Sequence, residues 1–178
     1  MLEIKNTALI VIDVQVALAR VMHEKDALIE NVRKLVQGAG VLGVPALWTE
    51  QYPKGLGRTV PELADLMDSD PIEKTSFNCC GDDAFLAAVE KLGRKQLVLC
   101  GIETHVCVHQ TAAGLLERGY EVEVAADAVS SRTTGNKLIA LDRMKATGAT
   151  LTSVEMALFE LLKVAGTDQF KQMIKIVK

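Results

Sequence analysis

Three segments of the sequence each set a reactive side chain at the end of a short apolar run. "TALIVID" closes on Asp13, with Gln15 two residues on; "PIEK" closes on Lys74, ahead of "TSFN"; "QLVLCG" runs into "IETHVC", with Cys107 in what reads as the first turn of a helix. An acid, an amine and a thiol form a set suited to nucleophilic acyl transfer. A thiol attacks as its thiolate, and free cysteine has a pKa of about 8.5. The positive end of a helix and a neighbouring ammonium both lower that value, so Cys107 is expected to be activated by the backbone and by Lys74. Asp13 can accept the thiol proton and later return it to a leaving group. Lys74 can hold the carboxylate ionised and stabilise developing negative charge, and amides freed at the helix start can form an oxyanion hole. Taken singly, each residue has an ordinary use: Asp as a turn or cap, Lys as a solvated charge, Cys as a small buried hydrophobe. None of those uses brings all three together.

Bringing them together is a task for the fold. Apolar β-branched runs at 7–13, 45–49, 96–101, 121–126 and 149–153 read as strands, and helical patterns over 24–43, 82–93, 104–119 and 133–148 lie between them. Gly43, Gly93 and Gly119 stand where helices end, as glycine C-caps do, and Asp82 stands where one begins. The strands are apolar throughout instead of alternating, which predicts burial on both faces. The expected fold is therefore α/β, three-layered, with a mostly parallel Rossmann-like sheet and helices on both faces, in a single domain over residues 1–178. The C-terminal stretch reads as two helices broken near Gly166. The long segment 50–81 reads as irregular, with one short helix at 61–67. In an open parallel sheet, ligands sit at the carboxyl ends of the strands where strand order reverses, and Asp13, Lys74 and Cys107 all fall at such ends.

Composition narrows the function. The chain has 178 residues, 49% hydrophobic and 24% charged, with a formal net charge of −3. That is too apolar for disorder, and the lack of a block of Lys and Arg argues against nucleic acid and anionic membranes as partners. The apolar run in "MLEIKNTALIVIDVQ" is too short for a signal peptide or a membrane span, and the four cysteines read as reduced thiols, so the expected compartment is the cytoplasm.

Taken together, "ALIVIDVQ", "EKTSFN" and "LCGIETHVCV" resemble the isochorismatase-like cysteine hydrolases. "TEQYPKGLG", "GIETHVCV" and "DAVSSR" point to the branch of the isochorismatase domain-containing proteins. The resemblance reaches "VEMALFELL" and covers nearly the whole chain. It implies an Asp–Lys–Cys triad at Asp13, Lys74 and Cys107, a cis peptide bond between Ile102 and Glu103, and an oxyanion hole from the backbone amides of Glu103 and Cys107. It also implies hydrolysis of a small acyl substrate through a thioester, and a homo-oligomer. Nicotinamidases of this superfamily bind a metal through Asp and His after the second strand. Here "WTEQYPKGLG" has no His, so neither a metal nor any other cofactor is expected. Isochorismatases proper lack the cysteine, which directs the reading to a C–N or other acyl bond.

Gln15, Trp48, Gln51, Tyr52, Phe77 and Ile102 flank the expected crevice and are candidates for contacting a small-molecule substrate. His105, Cys107 and His109 make H-x-C-x-H, but at about 100° per residue the thiol lies across the helix from both rings, so no metal site is read there. Cys79 and Cys80 lack a second pair at metal spacing, Cys100 reads as inert packing, and Asp127, Ser130 and Ser131 read as loop-ordering residues. Two rivals remain. One is a binding or regulatory protein that keeps this fold without turnover. The other, a phosphate-receiver domain, needs an acidic pair after the first strand, where this chain has Val14 and Gln15.

Overall fold

The strand β1 (Thr7–Ile12) is buried along its whole length, as a strand covered on both faces must be. In the computed structural model, which describes residues 1–178, it lies at the centre of a six-stranded, all-parallel sheet. Its partners are β2 (Ala46–Gln51), β3 (Ile72–Lys74), β4 (Gln96–Ile102), β5 (Glu121–Ser130) and β6 (Thr150–Thr152). Their order is β3-β2-β1-β4-β5-β6, so the chain builds outward from β1 on one side and then crosses back to build outward on the other.

Alternate residues of the central strands feed two cores. Leu9, Val11, Val98, Cys100 and Ala125 pack with α2 (Lys25–Leu42), α8 (Val154–Leu162) and α9 (Asp168–Val177). Ala8, Ile10, Ile12, Leu97, Leu99 and Val124 pack with α5 (Asp83–Leu92), α6 (His109–Glu117) and α7 (Thr134–Ala146). The result is the expected three-layered α/β arrangement. The helix ends follow the local chemistry: Asp82 accepts from the amides of Ala84 and Phe85 to open α5, and Gly43 and Gly93 close α2 and α5 at positive φ.

Three features depart from the sequence reading. The segment 50–81 is not irregular throughout: it holds α3 (Pro53–Leu56), α4 (Pro61–Ala64) in place of the longer 61–67 helix, the edge strand β3 and a 3₁₀ turn at Cys79–Gly81. A further short helix, α1 (Val16–Ala19), follows β1. The expected 104–119 helix begins instead as a π-helical turn, Thr104–Val108, before α6 takes over. Wide turns of that kind are frequent at functional positions.

Candidate active site

The sheet reverses its order of construction at β1, between β2 and β4, and there the three candidate residues meet. Ile12, the last residue of β1, is in register with Thr49 on one side and Gly101 on the other. Gly101 (φ +113°) is required by this closeness: a Cβ at that position would lie 2.1 Å from the carbonyl oxygen of Ile12. One residue on, Asp13 turns the chain in the left-handed region (φ +53°), which Asp tolerates better than most residues.

That turn aims the Asp13 carboxylate at β2 and β3. Its Oδ1 accepts from the Thr49 hydroxyl at 2.7 Å and its Oδ2 from Lys74 Nζ at 2.7 Å. Lys74 reaches over β2 from the edge strand, and its ammonium also donates to Gln51 Oε1 at 2.7 Å and to the Ser76 carbonyl at 3.2 Å. Both side chains of the ion pair are wholly buried. Burial by itself would lower the pKa of Lys74, but its surroundings, led by the charge of Asp13, outweigh it and hold the ammonium above its ordinary value. A buried pair of this kind is expensive to desolvate, so full hydrogen bonding is a condition of its survival.

Cys107 sits in the π turn, 4% exposed. Burial raises its pKa well above the ordinary thiol range; the negative charge of Asp13 adds to this, while the Lys74 ammonium opposes it. The expectation that the helix start and Lys74 would lower this pKa is thus overturned. Desolvation, together with Asp13, outweighs the ammonium. The resting group is a neutral thiol facing a carboxylate, which can take its proton once an electrophile arrives. Cys79 shares the field of Lys74 and Asp13, and burial pushes its thiol up to about 11. Its amide donates to Thr111 Oγ1 at 3.0 Å, on the helix that follows Cys107.

The peptide bond between Ile102 and Glu103 is cis. The Glu103 amide makes no hydrogen bond within the protein, while its carbonyl accepts from the amides of Val106 and Val108. Its carboxylate is held by Arg132 Nε at 3.3 Å and His105 Nε2 at 3.4 Å, and His105 Nδ1 meets Ser131 Oγ at 2.9 Å. His105 and Ser131 thus pin the loop before Cys107 to the segment after β5, in the ordering role read for Ser131. Ser130 Oγ donates to the His23 carbonyl, and Asp127 accepts from the amide of Val154, so both tie loops together.

The remaining candidates divide. Gln15 is fully buried and bridges to the backbone of Gln51 and Gly57, and the Gln51 side chain is held by Lys74 and the Thr75 carbonyl. Trp48 does not face the crevice. It packs into the core beneath α2, because its neighbour in register, Val11, points to that face. Ile102 is likewise buried in that core, with only its backbone at the site. Tyr52 and Phe77 are about half exposed, at 54% and 55%. A cavity of about 340 Å³ beside Lys74 is lined by Tyr52, Lys54, Thr75 and Asp82, a volume suited to a small molecule. A larger one of about 920 Å³ lies among Glu50, Arg58, Asp68 and Asp70, and neither cavity is lined by Asp13 or Cys107. No group of three or more His, Cys, Asp or Glu side chains has metal-binding geometry. Thr49 was missed in the sequence, and nothing local marks it; it follows only from the pairing of β2 with β1.

The model of the isochorismatase domain matches residues 7–156. Isochorismatase domain-containing protein 2 of Danio rerio is 37% identical over 177 residues, which covers 99% of this chain and 89% of that protein. The MAR1 ribonuclease of Caenorhabditis elegans superimposes with a TM-score of 0.92 at 38% identity, over 99% of this chain and 91% of that one. YcaC superimposes in two forms, each at 27% identity and over 98% of this chain. The Pseudomonas aeruginosa protein, with covalent acrylamide, has a TM-score of 0.92 and 90% of its own chain covered. The Escherichia coli protein, an octameric hydrolase of unknown specificity, has a TM-score of 0.93 and 89% covered.

Proposed function

The chain belongs to the isochorismatase family, and from that premise we propose that it is a cysteine hydrolase acting on a small amide or related acyl compound. The observation that carries the reading is the buried Asp13–Lys74 pair beside the Cys107 thiol. Asp13 is then the base, Cys107 the nucleophile and Lys74 the charge that keeps Asp13 ionised.

The reaction has two halves. As Cys107 Sγ bonds to the substrate carbonyl carbon, its proton passes to Asp13 and the carbonyl oxygen becomes an oxyanion. The unpartnered Glu103 amide, with that of Cys107, is the donor pair for that oxygen. Collapse breaks the C–N bond, the amine leaves with the proton from Asp13, and a thioester remains. Water then gives its proton to Asp13 and its oxygen to the carbonyl, and the thiolate recovers the proton as the acid departs. No step needs a metal or organic cofactor. Tyr52 and Lys54, which line the cavity beside Lys74, and the exposed Phe77 are the candidate substrate contacts. Homo-oligomerisation accords with the octameric E. coli relative. No helix is long and apolar enough to cross a membrane, and four unpaired thiols suit a reducing compartment such as the cytoplasm.

The test is a panel of small amides and esters, offered to the wild type and to Cys107→Ser, with amine or acid release and intact mass as readouts. Acrylamide belongs in the panel because it is covalently bound in the P. aeruginosa relative, and a short RNA because the C. elegans neighbour is a ribonuclease. Turnover or a covalent adduct that disappears in Cys107→Ser supports the reading. Absence of both leaves the non-catalytic binding protein, and RNA cleavage that survives Cys107→Ser removes the thioester mechanism.

A further inference from the structure

We propose that Gln51 is a positioning residue that tunes Cys107 through Lys74, and that Lys74 makes no contact with substrate. The proposal rests on the Asp13–Lys74–Cys107 reading above. An ammonium has three N–H donors, and all three of Lys74 are committed: to Asp13 Oδ2, Gln51 Oε1 and the Ser76 carbonyl. With its side chain wholly buried, Lys74 has no donor left for an oxyanion. Its work is to hold the Asp13 carboxylate in place and ionised.

Gln51 can hold Lys74 because its own amide has one permitted orientation. Nε2 donates to the Thr75 carbonyl at 2.7 Å, so Oε1 faces the ammonium; the flipped amide would set donor against donor and acceptor against acceptor. The backbone of Gln51 is fixed in turn by Gln15. The Gln51 amide donates to Gln15 Oε1 at 2.7 Å, and Gln15 Nε2 donates to the Gln51 carbonyl at 3.0 Å. Strands β1 and β2 pair in register only as far as Ile12 and Thr49. Beyond that point the side-chain amide of Gln15 serves as the missing strand edge. A chain of contacts thus runs from Gln15 through Gln51 and Lys74 to Asp13, across the fork where the crevice opens. The candidate role of Gln51 as a substrate contact gives way to this one, since each end of its amide already holds a partner within the protein.

The test uses Gln51→Met, which removes both amide groups at similar volume, and Gln51→Glu, which keeps an acceptor for Lys74 but adds negative charge. The readout is the rate of iodoacetamide alkylation at Cys107 against pH, followed by peptide mass spectrometry. A Lys74 that drifts from the site withdraws positive charge from the thiol, so Gln51→Met is expected to alkylate about three- to ten-fold more slowly at any fixed pH up to about 10, half to one pKa unit. Gln51→Glu is expected to shift in the same direction, with a loss of thermal stability because its second oxygen faces the Thr75 carbonyl. In a Lys74→Met background the Gln51→Met effect on alkylation disappears, because its route is gone. Alkylation profiles of Gln51→Met and Gln51→Glu that coincide with the wild type overturn the proposal, even if stability falls. Because the readout needs no substrate, a protein that shows these shifts but hydrolyses nothing disproves the hydrolase reading and leaves this one intact. Hydrolysis with unmoved profiles does the reverse.

Discussion

The Thr49 hydroxyl and the Lys74 ammonium hold opposite oxygens of the Asp13 carboxylate, each at 2.7 Å. The two donors come from neighbouring parallel strands and fix the plane of the carboxylate, so the lone pair that faces Cys107 is set by β2 and β3 and not by Asp13 alone. Thr49→Val keeps the β-branched shape that suits a strand but removes the hydroxyl. It leaves a buried acceptor short of one partner, for a loss of about 1–3 kcal/mol in stability. Turnover on whichever amide the panel identifies should fall by about ten- to a hundred-fold, within the range for a misplaced general base. Urea unfolding and kcat measure the two effects, and a Thr49→Val protein with wild-type kcat would show that Lys74 alone orients Asp13.

The ion pair makes its own prediction. Both of its side chains are fully buried, so removing one partner strands a charge in a medium that solvates it poorly. Lys74→Met should cost about 3–5 kcal/mol, and adding Asp13→Asn to it should recover most of that loss, since a buried pair replaced as a unit is often near neutral. Asn also tolerates the left-handed backbone at position 13. Denaturant curves for the two singles and the double decide it: simple additivity would mean that the pair is not coupled in solution.

What the sequence made legible, and what it hid, follows from the range of the interactions involved. Five strands and the long helices were readable because each carries its own apolar pattern and end signals, such as Asp82 and Gly93 around α5. The convergence of Asp13, Lys74 and Cys107 was readable because strand ends in a parallel sheet share one edge. β3 entered the reading only as the strand end at Lys74, without bounds, because three residues are too few to show a period and only Lys74 among them is buried. Trp48 was misplaced because a β-strand residue faces one side or the other according to register, and its face was set by Val11 on the neighbouring strand. The upward shift at Cys107 was hidden for a related reason. Helix-end charge is a local property, but the burial that raises the thiol is assembled by the folded core around it.

Alkaline pH should destabilise the protein in a defined way. The pKa values of Cys79, Cys80, Cys100 and Cys107 are all raised in the fold above the thiol value of 9.0, in each case chiefly by burial. Above pH 9 the unfolded chain therefore loses thiol protons that the native state keeps. Their contribution to stability is whole below that pH and is lost as pH climbs through the folded values. Each thiol that ionises only on unfolding costs about 1.4 kcal/mol per pH unit. Cys100 is fully buried at the sheet centre and takes no part in the proposed chemistry, so Cys100→Ala isolates one such group. Its stability against pH between 9 and 10.5 should be shallower than that of the wild type by about that increment, whatever the loss at neutral pH. Parallel slopes would mean that Cys100 ionises equally in both states.

The last prediction concerns the close approach that makes the crevice possible. At Gly101 the backbone has φ +113°, and a Cβ would lie 2.1 Å from the Ile12 carbonyl oxygen and 2.7 Å from its amide nitrogen. These are backbone atoms of the adjacent central strand, so no rotamer change can relieve the clash, and β1 and β4 would have to part where Asp13 and Cys107 depart from them. Gly101→Ala should therefore cost more than about 4 kcal/mol, in the range reserved for strained or overpacked core sites, and should abolish Cys107-dependent chemistry in any protein that still folds. Gly40→Ala is the matched control. Gly40 lies within α2, and a methyl group there would meet nothing within 4 Å. It should stabilise the protein by about 0.5–1 kcal/mol through helix propensity alone. If Gly101→Ala unfolds at the same urea concentration as the wild type, the central strands lie farther apart in solution than this register requires, and the placement of Asp13 beside Cys107 loses its structural basis.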